Sequence, residues 1–198
     1  LSIRRQRQMC IRDRDRIMVK RCSWVDENST IYKDYHDHEW GKPVYDDEKL
    51  YEMFLLETFQ AGLSWITILK KRESFKIAFD NFDVNKIARY DENKIEQLME
   101  NKDIIRNRRK IVAAIKNAKI FIEIQNEFGS FSKYLWGFTN YQIIKNQDDM
   151  IKTTSALSDE ISKDLKKRKM SFVGSVTIYS YLQAVGVVND HEKGCFCY

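Results

Sequence analysis

Cysteine and histidine side chains, the residue types that bind zinc, lie close to the two ends of this sequence. Three of the four cysteines and all three histidines form these two groups: Cys22, His36 and His38 in the first, and His191, Cys195 and Cys197 in the second. Thiolates and imidazoles in sets of four are typical of structural zinc sites. Residue types alone do not choose which histidine of the first group or which cysteine of the second would bind, and free buried thiols beside surface histidines remain an alternative. The pattern favours a metal site that joins the two ends of the chain.

A carboxylate, Glu57, falls on the apolar face of a predicted helix. Asp46 or Asp47 can cap a helix from about residue 48 to residue 61, which Gly62 ends. At about 100° per residue, Glu57 lies within the apolar stripe of that helix, which consists of Leu50, Met53, Phe54 and Ala61. An unpaired buried charge is costly, so such a group becomes neutral, finds donors, or lines a cleft where a ligand meets it. A glutamate that reaches solvent or pairs with an arginine is the alternative.

Aromatic residues surround Glu57 along the chain. Tyr32, Tyr35 and Trp40 precede it, and Trp65 follows the segment 61–64. Aromatic faces attract cations, and a buried acceptor can bind the N–H edge of a cationic purine. The same set suits a quaternary ammonium ligand, or forms an ordinary aromatic core. The residues therefore predict a pocket for a cationic ligand without deciding which ligand it is.

Helices must position these groups. The 198 residues are 43% hydrophobic and 32% charged, and one proline with seven glycines leaves little for the tight turns of a β-sandwich or barrel. We predict a mainly α-helical protein with helices at about 48–61, 83–90, 91–101, 107–128, 130–138, 158–168 and 174–185. No run of roughly 18 apolar residues indicates a membrane span, and the few cysteines favour a reducing, cytoplasmic location. Without a repeat or a linker, residues 18–198 are expected to form one domain.

The first seventeen residues differ from the rest of the chain. They contain six arginines and two aspartates and lack apolar periodicity. Their net charge of +4 is most of the +5 carried by the whole chain, which leaves +1 for the remainder. We expect residues 1–17 to be an extraneous or disordered segment, with Met18 as the natural start, so nucleic-acid binding must be argued from local basic patches.

Two basic patches could bind the phosphate backbone of a nucleic acid. One is Lys70-Lys71-Arg72, and the other runs from Arg106 to Lys110 at the start of a predicted helix. Over 98–111 the order of helix, short turn and basic helix start resembles a helix-hairpin-helix, which aims amides and cations at a phosphate. A solvated basic helix start is the alternative, and the absence of glycine from the turn favours it.

Several motifs in one order resemble the 3-methyladenine DNA glycosylase I family, a branch of the helix-hairpin-helix DNA glycosylase superfamily. The motifs are Arg21-Cys22-x-Trp24, Tyr35-His36-Asp37-His38-Glu39-Trp40-Gly41, Leu56-Glu57-x-x-Gln60-Ala61-Gly62-Leu63-Ser64-Trp65, Lys70-Lys71-Arg72, Phe172-Val173-Gly174 and Val188-Asn189-Asp190-His191-x-x-Gly194-Cys195. The resemblance runs from about Val19 to Tyr198 and implies a mainly α fold of two helical lobes around a base pocket. Residues 1–17 lie outside it. The turn before Arg108 also lacks the glycine-rich hairpin, and the later catalytic aspartate, of the wider superfamily.

For the metal, the resemblance implies a single set of ligands. These are Cys22, His36, His191 and Cys195, which would bind one zinc ion and join the N- and C-terminal segments. Two thiolates and two imidazoles fill a tetrahedral shell and leave no open position, which is typical of a structural zinc and not of a catalytic one.

For the pocket, the resemblance implies that Glu57 accepts hydrogen bonds from a base flipped out of the duplex. Tyr35 and Trp65 would stack on that base, and Trp40 and Tyr32 would complete the walls. The segment 61–64 would enter the duplex near the vacated position.

The activity that the resemblance implies is hydrolysis of the N-glycosidic bond of 3-methyladenine in alkylated double-stranded DNA, by a monomer that releases the free base. Methylation at N3 places positive charge on the purine, so the base leaves readily, and neither a lysine nucleophile nor strand cleavage is expected. The main alternative is a non-enzymatic, zinc-stapled nucleic-acid-binding module, which would gain nothing from Glu57 on an apolar stripe. A zinc hydrolase would need an open coordination position.

Overall fold

The computed structural model describes residues 19–145 and 152–198, so the prediction for residues 1–17 lies outside the described residues. Within these ranges the chain forms nine α-helices, a 3-10 turn at Asp80–Phe82 and two short strands. The helices are α1 (Thr30–His38), α2 (Asp47–Gln60), α3 (Trp65–Ala78), α4 (Val84–Ile87), α5 (Glu92–Glu100), α6 (Arg108–Phe128), α7 (Phe131–Gly137), α8 (Ala156–Lys167) and α9 (Ser175–Ala184). The strands are β1 (Ile144–Lys145) and β2 (Val188–Asn189). The prediction of a mainly helical protein is confirmed.

Side-chain caps explain where several of these helices begin. At the starts of α2 and α5, the carboxylates of Asp46 and Asp91 each accept a hydrogen bond from the backbone amide three residues later in the sequence. Asn107 caps α6 in the same way, and Gly129, at a φ of 82°, ends it in the left-handed region. These boundaries agree with the sequence prediction to within one or two residues.

Four helices differ from the prediction. The helix expected at 83–90 is only α4, because the Tyr90 amide bonds to the Ile87 carbonyl and closes a tight turn there. Helix α8 begins two residues earlier than expected, since Ser155 and Ser158 form a reciprocal capping box. Helices α1 and α3 were not predicted, although they carry the aromatic residues that flank Glu57.

Helix α2 occupies the centre of the fold. Nine of its side chains are buried, in an unbroken run from Leu50 to Phe59 apart from Glu52. It packs against α3, α6, α7 and α9, and the rings of Phe54, Phe121 and Tyr181 meet edge to face or at a tilt in this core. A helix surrounded on every side has no solvent face for a charged residue. Glu57 is therefore held inside the protein by its position on α2.

The C-terminal part of the chain returns to the centre after α9. Strand β2 pairs in parallel with β1, with Ile144 opposite Val188, and the chain then leads directly to His191. Helices α8 and α9 pack closely against each other as a helical pair. Within the described residues, no helix combines the length and the apolar character needed to cross a membrane.

The segment 98–111 contains a helix, a connection and a second helix, as the sequence indicates. Helix α5 ends at Glu100 and α6 begins at Arg108. Arg108 forms ion pairs with Glu92 and Glu96 of α5, so it joins the two helices to each other. This cation of the basic helix start therefore already has a structural partner.

Candidate functional site

A cavity of about 300 Å³ lies beside the middle of α2. Four residues singled out in the sequence line it: Tyr35, Trp40, Glu57 and Trp65. They come from α1, the turn after α1, α2 and the first position of α3. The structure therefore brings together side chains that span thirty positions of the chain. Tyr32 is not among the lining residues, because its ring packs edge-on against Trp24, 5.6 Å away.

Glu57 is the acidic group of this cavity. Its side chain is 4% exposed, and its Oε2 atom has no hydrogen-bond partner among the described residues. Burial raises the pKa of Glu57 from its ordinary 4.5 to about 8. At neutral pH this group is therefore largely protonated in the free protein, and a cation in the cavity would favour its ionised form.

An arginine partner for Glu57 was the alternative to a pocket position. The half-buried arginine of this region, Arg72, instead donates to both carboxylate oxygens of Glu39 at 2.8 Å and to Glu52 at 2.7 Å. These carboxylates occupy the guanidinium fork. Within the described part of the chain, Glu57 thus lacks the ion pair that would give it a purely structural explanation.

The aromatic walls are tilted and do not form a parallel sandwich. The ring centroids of Tyr35 and Trp65 are 5.4 Å apart at an interplanar angle of 52°. Trp40 meets Trp24 edge to face at 5.0 Å, and Trp24 also lines the cavity. Burial, with a contribution from the charge of Glu57, raises the pKa of Tyr35 well above its usual range, so its hydroxyl stays neutral. The cavity thus offers neutral aromatic surface beside one acid.

Helix α9 supplies a wall that sequence reasoning did not predict. Val176, Tyr179, Ser180 and Gln183 line the cavity from one face of this helix. Their spacing of three, four and seven residues was a usable signal, because it places Val176, Tyr179 and Gln183 on one face of the helix. Trp24 also appeared in a sequence motif without a pocket role. Gln60, at the end of α2, completes the polar lining near Glu57.

The segment 61–64 connects Glu57 on α2 to Trp65 on α3, and a buried lysine anchors it. Lys110 is 7% exposed and donates hydrogen bonds to the carbonyls of Phe59 at 2.7 Å and Ala61 at 2.6 Å. The last carbonyls of a helix have no partner within it, and a cation there also matches the helix dipole. Lys110 is therefore not one of the solvent-facing cations expected at the start of α6. The tip of the loop remains open, because Gly62, at a φ of +81°, has no atom within 4 Å of the place where a Cβ would lie.

The second group singled out in the sequence also comes together. Cys22, His36, His191 and Cys195 are buried, and their ligand atoms all lie within 4.8 Å of one another. The Sγ atom of Cys195 is 3.4 Å from Nε2 of His36. Tetrahedral zinc sites, with bonds of about 2.0–2.3 Å, place ligand atoms at similar separations. These four residues could hold a metal ion, and the structure favours His36 and Cys195 over His38, which is exposed, and Cys197.

Neighbouring groups orient this metal cluster. Nδ1 of His36 lies 2.8 Å from Asp37, whose carboxylate also accepts hydrogen bonds from Arg21. Backbone amides of Glu192 and Cys197 approach the sulfurs of Cys22 and Cys195 at 3.4 Å. A carboxylate behind a ligating histidine and amides directed at thiolate sulfurs are common around protein metal sites.

The chemistry of the cluster also fits a cation. Nδ1 of His191 is buried and has no hydrogen-bond partner among the described residues. Burial raises the pKa of the Cys22 thiol to about 12 and lowers the pKa of His191 to about 4. Two crowded sulfurs and an uncharged imidazole are a donor set that a divalent ion would stabilise, since a bound metal holds thiols as thiolates.

Comparison with known proteins identifies one family whose pattern matches most of the chain. The sequence profile of the methyladenine glycosylase family matches residues 24–198. The chain belongs to the methyladenine glycosylase family. It is 45% identical to the DNA-3-methyladenine glycosylase of Haemophilus influenzae, over 91% of this chain and 98% of that protein.

Solved structures of the family agree. A crystal structure of 3-methyladenine DNA glycosylase I superposes with a TM-score of 0.87 at 45% identity, and the match covers 90% of this chain and all of that one. The 3-methyladenine DNA glycosylase I of Staphylococcus aureus, whose structure concerns its recognition of 3-methyladenine, gives 0.85 at 37% identity over 89% and 95% of the two chains. The match to the methyladenine glycosylase family includes Glu57 and three of the four cluster residues.

The cavity is in direct contact with the metal cluster, the group formed by Cys22, His36, His191 and Cys195. Trp40 lies 4.7 Å from the ring of His191, and Trp24 lies 5.5 Å from the ring of His36. Gly41, at a φ of +73°, leaves room for His191, because a Cβ there would lie 3.2 Å from the imidazole. Two tryptophans that line the cavity, Trp24 and Trp40, therefore pack against the two histidines of the cluster.

Proposed function

We propose that this protein is a monofunctional DNA glycosylase that hydrolyses the N-glycosidic bond of 3-methyladenine in alkylated double-stranded DNA. Membership of the methyladenine glycosylase family supports the reaction class. One observation carries the assignment of the site. Glu57 is a buried carboxyl group with an unpartnered oxygen, and it lines a cavity that has five aromatic side chains in its walls. Such a group costs stability in the free protein, so a cationic ligand is the natural reason for its position.

In the proposed reaction, the damaged base leaves the duplex and enters the cavity. The tilted faces of Tyr35 and Trp65 contact the purine, and Glu57 accepts hydrogen bonds from its N–H edge. Contact with the cation favours the ionised carboxylate, which binds more strongly than the neutral acid. The base is thereby held with its glycosidic bond directed towards the DNA.

The bond that breaks is the one between C1′ of the sugar and N9 of the purine. Its electron pair stays with the base, so the positive ring becomes neutral 3-methyladenine. The sugar develops oxocarbenium character, and water adds to C1′ and releases a proton. Because the lesion already carries the charge that makes it leave, the protein has to position it and stabilise the sugar cation electrostatically.

A lyase activity would require an amine that attacks C1′. Lys110 is held by the carbonyls of Phe59 and Ala61, so it is committed to the loop. Lys152 lines the cavity, and it is the residue that a test of this point must address. We expect no borohydride-trapped covalent complex with lesion-containing DNA, and a trapped complex that disappears in Lys152→Ala would contradict the monofunctional assignment.

The bound metal is proposed to be one structural zinc ion per chain, held by Cys22, His36, His191 and Cys195. When bound, zinc supplies charge for two thiolates and a cross-link between the two ends of the domain. Its four protein ligands leave no position for a reacting water. Elemental analysis of protein purified without added metal should give about one zinc per chain, the occupancy of one tetrahedral site. A stably folded protein without metal would contradict this part of the proposal.

The remaining parts of the proposal concern DNA. We place the segment 61–64 at the position that the flipped base vacates, and the basic starts of helices near the phosphate backbone, in the manner of helix-hairpin-helix glycosylases. We further propose that residues 18–198 act as a single domain and as a monomer in the cytoplasm.

Release of free base tests the proposed function directly. Purified protein is incubated with alkylated duplex DNA, and the released bases are separated by chromatography. We expect 3-methyladenine in the soluble fraction, and about tenfold to a hundredfold less of it with Glu57→Gln, because a charged hydrogen bond contributes roughly 1.5–3 kcal/mol. Binding of DNA without release of any base would favour the non-enzymatic module.

A further inference from the structure

A second carboxylate stands behind the α9 wall of the cavity. Oδ2 of Asp190 accepts a hydrogen bond from the Tyr179 hydroxyl at 2.6 Å and another from Nε2 of Gln183 at 2.6 Å. Its other oxygen, Oδ1, is buried without a partner among the described residues. Tyr179 and Gln183 both line the cavity. Asp190 therefore contacts two lining side chains from behind, immediately before the cluster residue His191.

These contacts fix the polarity of the α9 wall. Oδ2 of Asp190 accepts both hydrogen bonds, so the Gln183 amide is held with its NH2 group towards Asp190. The atom of that amide left for the cavity is the carbonyl oxygen. The Tyr179 hydroxyl donates its one proton to Asp190, so its oxygen is likewise left as an acceptor. Ser180, between them, can rotate its hydroxyl and imposes no polarity.

The end of α2 has the same polarity. Nε2 of Gln60 donates to the Leu63 carbonyl at 3.0 Å, which leaves its Oε1 atom as an acceptor. Glu57 adds a carboxyl group, whose carbonyl oxygen accepts hydrogen bonds and which becomes a carboxylate beside a cation. The polar groups of α2 and α9 thus offer acceptors to a base on both sides of the cavity.

We propose that Gln183, oriented by Asp190, is a specificity-determining residue that selects methylated adenine over methylated guanine. This inference rests on the proposed function. Adenine carries an amino donor at position 6, whereas guanine carries a carbonyl acceptor there. A wall of fixed acceptors binds the first and repels the second. Asp190 is a positioning residue, because it acts through Gln183 and Tyr179 and does not itself line this cavity.

The test compares two free bases that share the same N3 methyl group. Binding of 3-methyladenine and 3-methylguanine is measured by quenching of tryptophan fluorescence, since Trp24, Trp40 and Trp65 line the cavity. We expect the unmodified protein to prefer 3-methyladenine by about tenfold or more, the discrimination that one fixed hydrogen bond provides.

Two variants should reduce that preference. In Asp190→Asn the new amide can donate to Gln183, so the glutamine can turn its NH2 group to the cavity. We expect the ratio of the two affinities to fall by about tenfold, with 3-methylguanine bound more tightly than before. In Gln183→Leu the acceptor is removed, so binding of 3-methyladenine should weaken by about tenfold, while binding of 3-methylguanine should stay the same or become tighter.

The control separates selectivity from stability. Asp164 accepts a hydrogen bond from the Tyr134 hydroxyl at 2.8 Å, away from the cavity. Asp164→Asn should therefore leave both affinities unchanged. If Asp190 had only a structural role, Asp190→Asn would weaken the binding of both bases to the same extent. The ratio of the two affinities would then stay unchanged, and this result would overturn the proposal.

These measurements distinguish failure of the proposed function from failure of this inference alone. If the unmodified protein binds neither base and releases none from DNA, the proposed function fails. If it binds both bases equally well, or if it prefers 3-methyladenine and keeps that preference in Gln183→Leu, only this inference is overturned. Should Asp190→Asn lose its metal or fail to fold, Gln183→Leu decides alone, because that residue is not next to a cluster ligand.

Discussion

The Cys/His cluster and the cavity beside α2 are neighbouring regions that bury polar groups in different ways. In the cluster, Nδ1 of His191 has no hydrogen-bond partner among the described residues, but the four ligand atoms lie within 4.8 Å of one another, so that one ion would satisfy them together. In the cavity, Glu57 keeps a buried oxygen without a partner among the described residues. Buried groups that gather around one ion hold a fold together, whereas an isolated unpartnered carboxyl group lowers stability until a ligand arrives. We therefore propose that the first region maintains the structure and that the second receives the substrate.

The largest expected effect belongs to the cluster. Cys195→Ser removes one thiolate, and because metal binding contributes directly to folding, we expect the free energy of unfolding to fall by several kcal/mol and the metal content to drop. Denaturant unfolding and elemental analysis measure both. Cys197→Ser is the matched control, since Cys197 lies two positions away outside the four ligands and should keep both metal and stability. Full stability with abolished excision in Cys195→Ser would reverse the assignment of the two regions.

The cavity should respond to mutation in the opposite direction. The folded protein holds the Glu57 proton up to a pKa of about 8, whereas the unfolded chain releases it near 4.5. Between these values the folded state binds more protons, so its stability decreases as the pH rises. We expect Glu57→Gln to remove this decrease, with similar melting at pH 5 and a stability gain of up to a few kcal/mol at pH 8. A variant that melts much earlier than the wild type at pH 8 would show that Glu57 has a structural partner.

The same group should appear in the pH profile of the reaction. The pH dependence of kcat/KM reports ionisations of the free enzyme. If the carboxylate is the form that binds the cationic base, kcat/KM rises with pH up to about 8, and Glu57→Gln lacks that rise. If kcat/KM of Glu57→Gln still rose over the same pH range, the rise would belong to the ionisation of another group.

A smaller effect is expected where the cavity meets its supporting loop. Lys110→Met keeps the length of the side chain but leaves the carbonyls of Phe59 and Ala61 without their donor. We expect a loss of about 1–3 kcal/mol in unfolding free energy, together with a reduced kcat/KM for excision. Arg109→Met, at an exposed position next to it, serves as the control for stability. Unchanged stability in Lys110→Met would mean that the loop does not depend on this anchor.

The smallest effect concerns residues 1–17. Because this segment carries charge without apolar periodicity, its deletion should leave melting and excision at moderate salt unchanged and at most weaken non-specific DNA binding. Melting curves and salt titrations of DNA binding measure both effects. Loss of folding would show that the domain begins earlier than residue 18.

Local chemistry explains what the sequence could predict. The ends of α2, α5 and α6 follow from Asp46, Asp91, Asn107 and Gly129, whose capping roles depend on neighbours a few residues away. The apolar stripe around Glu57 follows from helical spacing. The residue types at the two ends of the chain indicated the metal cluster, whereas its particular members came from the family resemblance.

Contacts between distant parts of the chain explain what the sequence could not predict. Lys110 stands in a run of cations and has no local mark that separates it from Arg109, yet it is buried because the end of α2 needs donors. Asp190 accepts hydrogen bonds from Tyr179 and Gln183 only because the chain folds back after α9 and β2 places Asp190 beside that helix. Helix α3 has no continuous apolar face, since its Trp65 lines the cavity and its Arg72 pairs with Glu39 and Glu52.

The position of the cluster residues also has a consequence for synthesis on the ribosome. Cys195 and His36 are 159 positions apart yet in contact, so the first half of the cluster must wait until Cys195 has left the exit tunnel. Domains fold from the N-terminal side as they emerge, at roughly 5–20 residues per second. Until then Trp24 and Trp40 have no histidine pair to rest on. A nascent chain released before Cys195 would therefore carry Glu57 on α2 with an incomplete wall beside it, so the cavity is expected to form only after Cys195 has been added and has emerged.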